Sequence, residues 1–191
     1  MTSIPKNAPL VYVSFSAEIN PSTTEGLIAV MASCANEQVK KVYLLLSTSG
    51  GKVSNGLNIY GAVKGMPFEV VTHNVGNVDS IGIAPFLAGS TRYACKHSTF
   101  MFHGVGFTAQ QQQRFEVKDL EERLSSLKSD EERIGKIITE NTKVSENEVA
   151  EIFKQGQTKD SEFAVEKGII HEIREVTITD GCPVISLVFK R

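Results

Sequence analysis

Five apolar residues in an unbroken row, Val42-Tyr-Leu-Leu-Leu46, run straight into Ser47-Thr-Ser-Gly-Gly51 and then into a helical pattern. A strand with one solvated face alternates apolar and polar residues. A run that is apolar at every position reads as buried on both faces, as strands of a parallel sheet are. Parallel strands need crossovers, and crossovers are helices packed over the sheet in the right-handed sense. This one segment therefore points to an α/β layer architecture. The 191 residues, 41% of them hydrophobic, are enough for one such domain and too apolar for a disordered chain.

The neighbouring segments agree. Leu10-Val-Tyr-Val-Ser-Phe15 and Phe68-Glu-Val-Val-Thr72 read as further strands. Asn20-Pro21 supplies an N-cap and a proline at the first helical position, ahead of Leu27, Ile28, Met31 and Cys34 at helical spacing. A second helix from about Ser54 carries Leu57, Tyr60 and Val63 on one face and ends at Gly65. The second half changes character. Residues 114–141 are charged and free of proline, with Leu120, Leu124, Leu127, Ile134, Ile137 and Ile138 in helical rhythm, which predicts one long helix with solvated faces. Ser145-Glu-Asn-Glu148 is a capping box before another helix, and a last helix, about 161–167, stops at Gly168. Two β-rich segments, 169–176 and 183–189, close the chain, and the glutamine run Gln110–Gln113 reads as a loop or helix start.

Charge excludes some functions. With 20 Lys and Arg against 22 Asp and Glu, no basic surplus points to nucleic acid or to an anionic membrane. No apolar run approaches the ~18 residues of a membrane helix, and residues 1–10 lack the apolar centre of a secretory signal. Three widely spaced cysteines, Cys34, Cys95 and Cys182, fit reduced thiols in a cytoplasmic protein, with no metal site and no cofactor expected.

Three features could carry chemistry. Ser47-Thr-Ser-Gly-Gly51 lets backbone N–H groups approach a ligand closely, as an oxyanion hole or a phosphate site requires; its plainer reading is a tight turn. Ser80, in Gly76-Asn-Val-Asp-Ser-Ile-Gly82, lies between a strand ending near Val75 and an apolar helical run, 81–88. A serine there projects its hydroxyl from the top of the sheet, beside the N–H of Ile81; its plainer reading is an N-cap. His103 ends a third strand-like run, Phe100-Met-Phe-His-Gly104, where a structural histidine is the plainer reading.

The order and spacing of these three resemble the Clp protease proteolytic subunit family. That family carries S-P-G-G-S-V, G-x-A-A-S-M-G-A and M-I-H-Q-P, here Ser47-Thr-Ser-Gly-Gly-Lys-Val53, Gly76-Asn-Val-Asp-Ser-Ile-Gly-Ile83 and Met101-Phe-His-Gly-Val105. The likeness continues into Glu162-Phe-Ala-Val-Glu-Lys-Gly-Ile-Ile170, similar to the family's E-A-V-E-Y-G-L-V, and covers roughly residues 9–175. It implies a crotonase-like α/β fold in one domain, residues 1–191, with a head at about 9–105 and 145–191 and a protruding long handle helix within about 106–144. It also implies a serine-type endopeptidase acting on a peptide or unfolded protein, and a homo-oligomer whose rings stack through the handles. Ser80 would be the nucleophile, His103 its base, and the N–H groups of Gly51 and Ile81 the oxyanion hole.

The chain also departs from the pattern. The family's third catalytic member is an aspartate twelve residues before the glycine of Y-G-L-V, and counting back from Gly168 gives Gly156. Gln155, Gln157 and Thr158 cannot replace it. Asp160 is the nearest acid and the possible third member, although a cap for the last helix is its other reading. Loss of the orienting carboxylate costs ~10⁴ in rate in comparable triads, so a slow enzyme is expected. Asp79 stands where the family has a small residue. No counterpart of the family's ATPase-docking segment precedes Leu10, so no stable complex with a Clp-type ATPase is expected. Two alternatives remain open: a silent structural subunit, and other crotonase-fold chemistry, either acyl-CoA chemistry at Gly51 and Ile81 or a Ser–Lys pair using Lys128 or Lys136.

Overall fold

A computed structural model describes residues 4–108 and 114–189; the glutamine run 110–113 lies outside them. Six parallel pairings and one antiparallel pairing join eight strands into one sheet. Its spine is β6 (Thr158–Lys159), β5 (Thr99–Met101), β3 (Glu69–Asp79), β2 (Lys41–Thr48), β1 (Val11–Ser16) and β8 (Val184–Leu187), while β4 (Thr91–Ala94) joins β3 to β7 (Glu172–Ile173). Crossover helices α1 (Pro21–Asn36) and α2 (Val53–Lys64) connect β1, β2 and β3. Asn20 caps α1 as expected: its side chain accepts the Thr23 N–H at 3.0 Å.

β2 departs from the expectation of full burial. Val42, Leu44 and Leu46 are buried, whereas Tyr43 and Leu45 are half-buried. On that second face Tyr43 packs between Tyr12 and Tyr93, beside His73, so aromatic side chains of neighbouring strands supply the cover there. The continuous apolar row therefore reflects aromatic side-chain packing as much as a two-layer core.

β3 runs four residues past the expected end near Val75. β2 stays on one side of it as far as Val78, paired with Thr48, while on the other side β4 is replaced by β5 at Asn77–Asp79. A register shift in β2 between Leu46 and Thr48 accompanies the change. The extension delivers the chain to Ser80, where a 3-10 turn (Ser80–Gly82) leads into the short buried helix α3 (Ile83–Leu87).

Helix α4 (Val117–Asn141) is the long charged helix. Its buried residues, Ile134, Ile137 and Ile138, all lie in the last two turns, while Val117, Leu120 and Leu124 are exposed. Helices α5 (Glu146–Gln155) and α6 (Ser161–Glu166) follow, with the Ser145–Glu148 capping box in place. Arg92 fastens these elements together. Its buried guanidinium donates to the carbonyls of Gly89, Asn141, Gly168 and Ile169 at 2.7–3.2 Å, carbonyls that the ends of α3, α4 and α6 leave free.

Candidate active site

Ser80 is held in the left-handed region at φ 55°, which costs a residue with a Cβ roughly 1–2 kcal/mol. An N-cap residue is extended, so this backbone does not fit the capping reading; extended Asp79 occupies the cap position instead. The strand-to-helix turn lifts the Ser80 side chain into a cavity of about 70 Å³. Gly51, Ile81 and His103 line the same cavity, with Val53, Ile83, Phe102, Ile134 and Phe153 as apolar walls. The glycine loop lies directly against the serine: a Cβ on Gly50 would fall 2.7 Å from Ser80 Cβ.

Among the described residues, two amides at the cavity are left to donate to an anion. A parallel bridge from Ile19 to Gly51 uses the Gly50 carbonyl and the Lys52 N–H, which leaves the Gly51 N–H out of the exchange. The Ile81 N–H belongs to the first turn of a helix, where no intrahelical acceptor exists.

His103 is exposed, and its Nδ1–H donates to the Gly104 carbonyl at 2.7 Å. A carbonyl can only accept, so this bond selects the tautomer with a free lone pair on Nε2. Among the described residues no hydrogen bond joins Ser80 to His103. Gly156 lies beside the histidine: a Cβ there would come 4.0 Å from His103 Cβ and meet no other atom within that distance. Two backbone bonds hold the segments together, Phe102 N–H to the Gln157 carbonyl at 3.2 Å and Gly104 N–H to the Phe153 carbonyl at 3.0 Å.

Asp160 does not take the empty place. Its carboxylate caps α6 by accepting the Phe163 N–H at 2.8 Å, and it makes no hydrogen bond to His103. The cap wins because that N–H is an orphan of the helix start, three residues along the chain. Asp79 does not line the cavity; its Oδ2 accepts from Asn77 Nδ2 at 2.6 Å. Asn77 in turn binds Ser47 and the Thr48 carbonyl, a brace under the glycine loop that sequence motifs did not reveal. Lys128 and Lys136 line a separate groove between α4 and α5, where Lys136 pairs with Glu132 at 2.6 Å. Neither reaches the Ser80 cavity. No group of three or more His, Cys, Asp or Glu among the described residues is gathered as a metal would need, and no described helix is long and apolar enough to cross a membrane.

The sequence profile of the Clp protease family matches residues 10–177. The chain belongs to the Clp protease family. ATP-dependent Clp protease proteolytic subunit 2 of Prochlorococcus marinus is 35% identical over 99 residues, 50% of this chain and 49% of the relative. The protein of the same name from Corynebacterium efficiens is 25% identical over 159 residues, 80% and 74% of the two chains. The matched region spans about half the length of the first curated relatives. A ClpP1 mutant from Listeria monocytogenes superposes with a TM-score of 0.77 at 21% identity, covering 88% of this chain and 92% of that one. The fold is thus the crotonase-like fold of this family. Strand β8 lies beyond the matched residues.

Proposed function

We propose that the chain is a serine peptidase that works through an acyl-enzyme, with Ser80 as nucleophile and His103 as general base. One observation carries this reading: a serine at φ 55° shares a small, apolar-walled cavity with a histidine whose Nδ1–H is fixed and whose Nε2 is free. Ser80 Oγ attacks the scissile carbonyl as Nε2 takes its proton. The N–H groups of Gly51 and Ile81 hold the oxyanion, a contribution of roughly 10²–10³ in rate per donor. The imidazolium then protonates the leaving amine, and water attacks the ester by the reverse sequence.

A neutral carbonyl orients His103 where the family uses a carboxylate, so turnover is slow. The competing reading, a silent subunit, draws on the same substitution and on the missing Ser80–His103 hydrogen bond. Labelling by a fluorophosphonate separates the two. The peptidase reading expects labelling of the wild type that is lost in Ser80→Ala and His103→Ala; equal labelling of all three, or none in any, favours the silent subunit.

The proposal extends to architecture and assembly. The head comprises about 9–105 and 145–191, the handle about 106–144, and the protein is a homo-oligomer. Support comes from exposed Val117, Leu120 and Leu124 on the outer part of α4, an apolar row that a lone subunit leaves in water.

A further inference from the structure

The Gly104–Val105 peptide group is bonded at both ends. Its carbonyl accepts the His103 Nδ1–H at 2.7 Å, and its N–H donates to Glu131 Oε1 at 2.9 Å. Both groups belong to one planar, conjugated amide, so the carboxylate and the imidazole are joined through a single polarisable unit. Glu131 is half-buried on α4, 26 residues along the chain from Val105, so its approach is a product of the tertiary fold. The approach is also close: a Cβ on residue 104 would lie 2.6 Å from Glu131 Oε1, so a side chain there would push the carboxylate aside. The neighbouring pair Glu132–Lys136 is turned to solvent and makes no such contact.

From this chain of hydrogen bonds, and resting on the peptidase reading above, we infer that Glu131 is the positioning residue for His103 and supplies the negative charge of the missing aspartate through the Gly104–Val105 peptide. An anion on the N–H draws electron density toward the carbonyl oxygen, and hydrogen bonds in series strengthen one another by roughly 10–30% each. The strengthened carbonyl holds Nδ1 protonated, keeps Nε2 free for the serine proton, and steadies the imidazolium formed during attack. No atom is transferred to Glu131, which remains a carboxylate throughout.

The test uses Glu131→Gln and Glu131→Ala in the full chain, with fluorophosphonate labelling resolved into kinact and KI. Glutamine keeps an acceptor for the Val105 N–H and removes only the charge. The relay expects kinact to fall by roughly 1.3- to fivefold in Glu131→Gln, at unchanged KI and unchanged melting temperature. A rate kept in the glutamine variant and lost only in the alanine variant overturns it, because the contact is then merely structural. Nitrogen-15 shifts of the His103 ring give a second readout that needs no activity. The relay expects Nδ1-protonated imidazole in the wild type and a smaller share of that tautomer in Glu131→Gln; identical spectra overturn it. Absence of labelling in the wild type overturns the peptidase reading instead, and the ring spectra then decide the relay.

Discussion

Replacing Gly156 by aspartate returns a carboxylate to the place beside His103, and its two consequences have opposite signs. Gly156 ends α5 at φ 60° and ψ 51°, and its N–H still reaches the Ile152 carbonyl at 3.2 Å. A side chain there has space, since only His103 Cβ comes as near as 4.0 Å. The cost is conformational. A left-handed residue with a Cβ is less favourable by ~1 kcal/mol for an Asp or Asn, which visit this region more readily than others. For a chain of this size that loss lowers the melting temperature by roughly 2–4 °C. The gain is catalytic. A charge-assisted hydrogen bond contributes about 1.5–3 kcal/mol against 0.5–1.5 for a neutral one. The new carboxylate replaces the Gly104 carbonyl as the partner of Nδ1, so the net gain is ~1–1.5 kcal/mol, or close to tenfold in kinact for fluorophosphonate labelling. That is well below the ~10⁴ lost where an amide in place of the carboxylate leaves the histidine in the wrong tautomer; here the Gly104 carbonyl already holds the right one. Gly156→Asn is the matched control, with the same backbone cost and shape but no charge; it should show the thermal loss without the rate gain. A rate unchanged in Gly156→Asp despite the expected thermal loss would refute the reasoning, as would an equal gain in Gly156→Asn.

Other perturbations test other parts of the structure. Leu120→Glu with Leu124→Glu places two charges in the exposed apolar row of α4 and should shift sedimentation toward the monomer, with the subunit still folded by circular dichroism. Arg92→Met leaves four carbonyls without their donor. At ~1 kcal/mol each, the melting temperature should fall by roughly 8–16 °C in calorimetry. Burial pushes the His73 imidazole below its usual 6.5, so the folded protein binds that proton less readily than the unfolded chain. Stability from His73 is then fully present above pH ~6.5 and declines as pH falls toward the folded value. Melting temperature should drop between pH 7 and 5, and His73→Asn should flatten that slope.

The sequence determined much of this protein by local chemistry. The apolar row at Val42–Leu46, the Asn20-Pro21 start, the Ser145 capping box and the rhythm of Ile134, Ile137 and Ile138 each act within a few residues, and each element appears where expected. The spacing of Gly51, Ser80, His103 and Gly156 was also legible, because each position lies at the end of a strand or helix whose length the pattern sets. Partners were not legible. Strands β4 and β6, of four and two residues, exist only because β3 and β5 offer them free edges, and β3 continues to Asp79 because β5 arrives to pair with it. The same holds at the histidine. Its sequence position says nothing of the Gly104 carbonyl that fixes its tautomer, nor of Glu131 returning from α4 to the far side of that peptide. Asp160 was the nearest acid along the chain, yet it serves the helix it begins. Local order writes itself into short stretches of sequence, whereas the choice of which carboxylate meets which hydrogen bond is made only when distant segments are packed together.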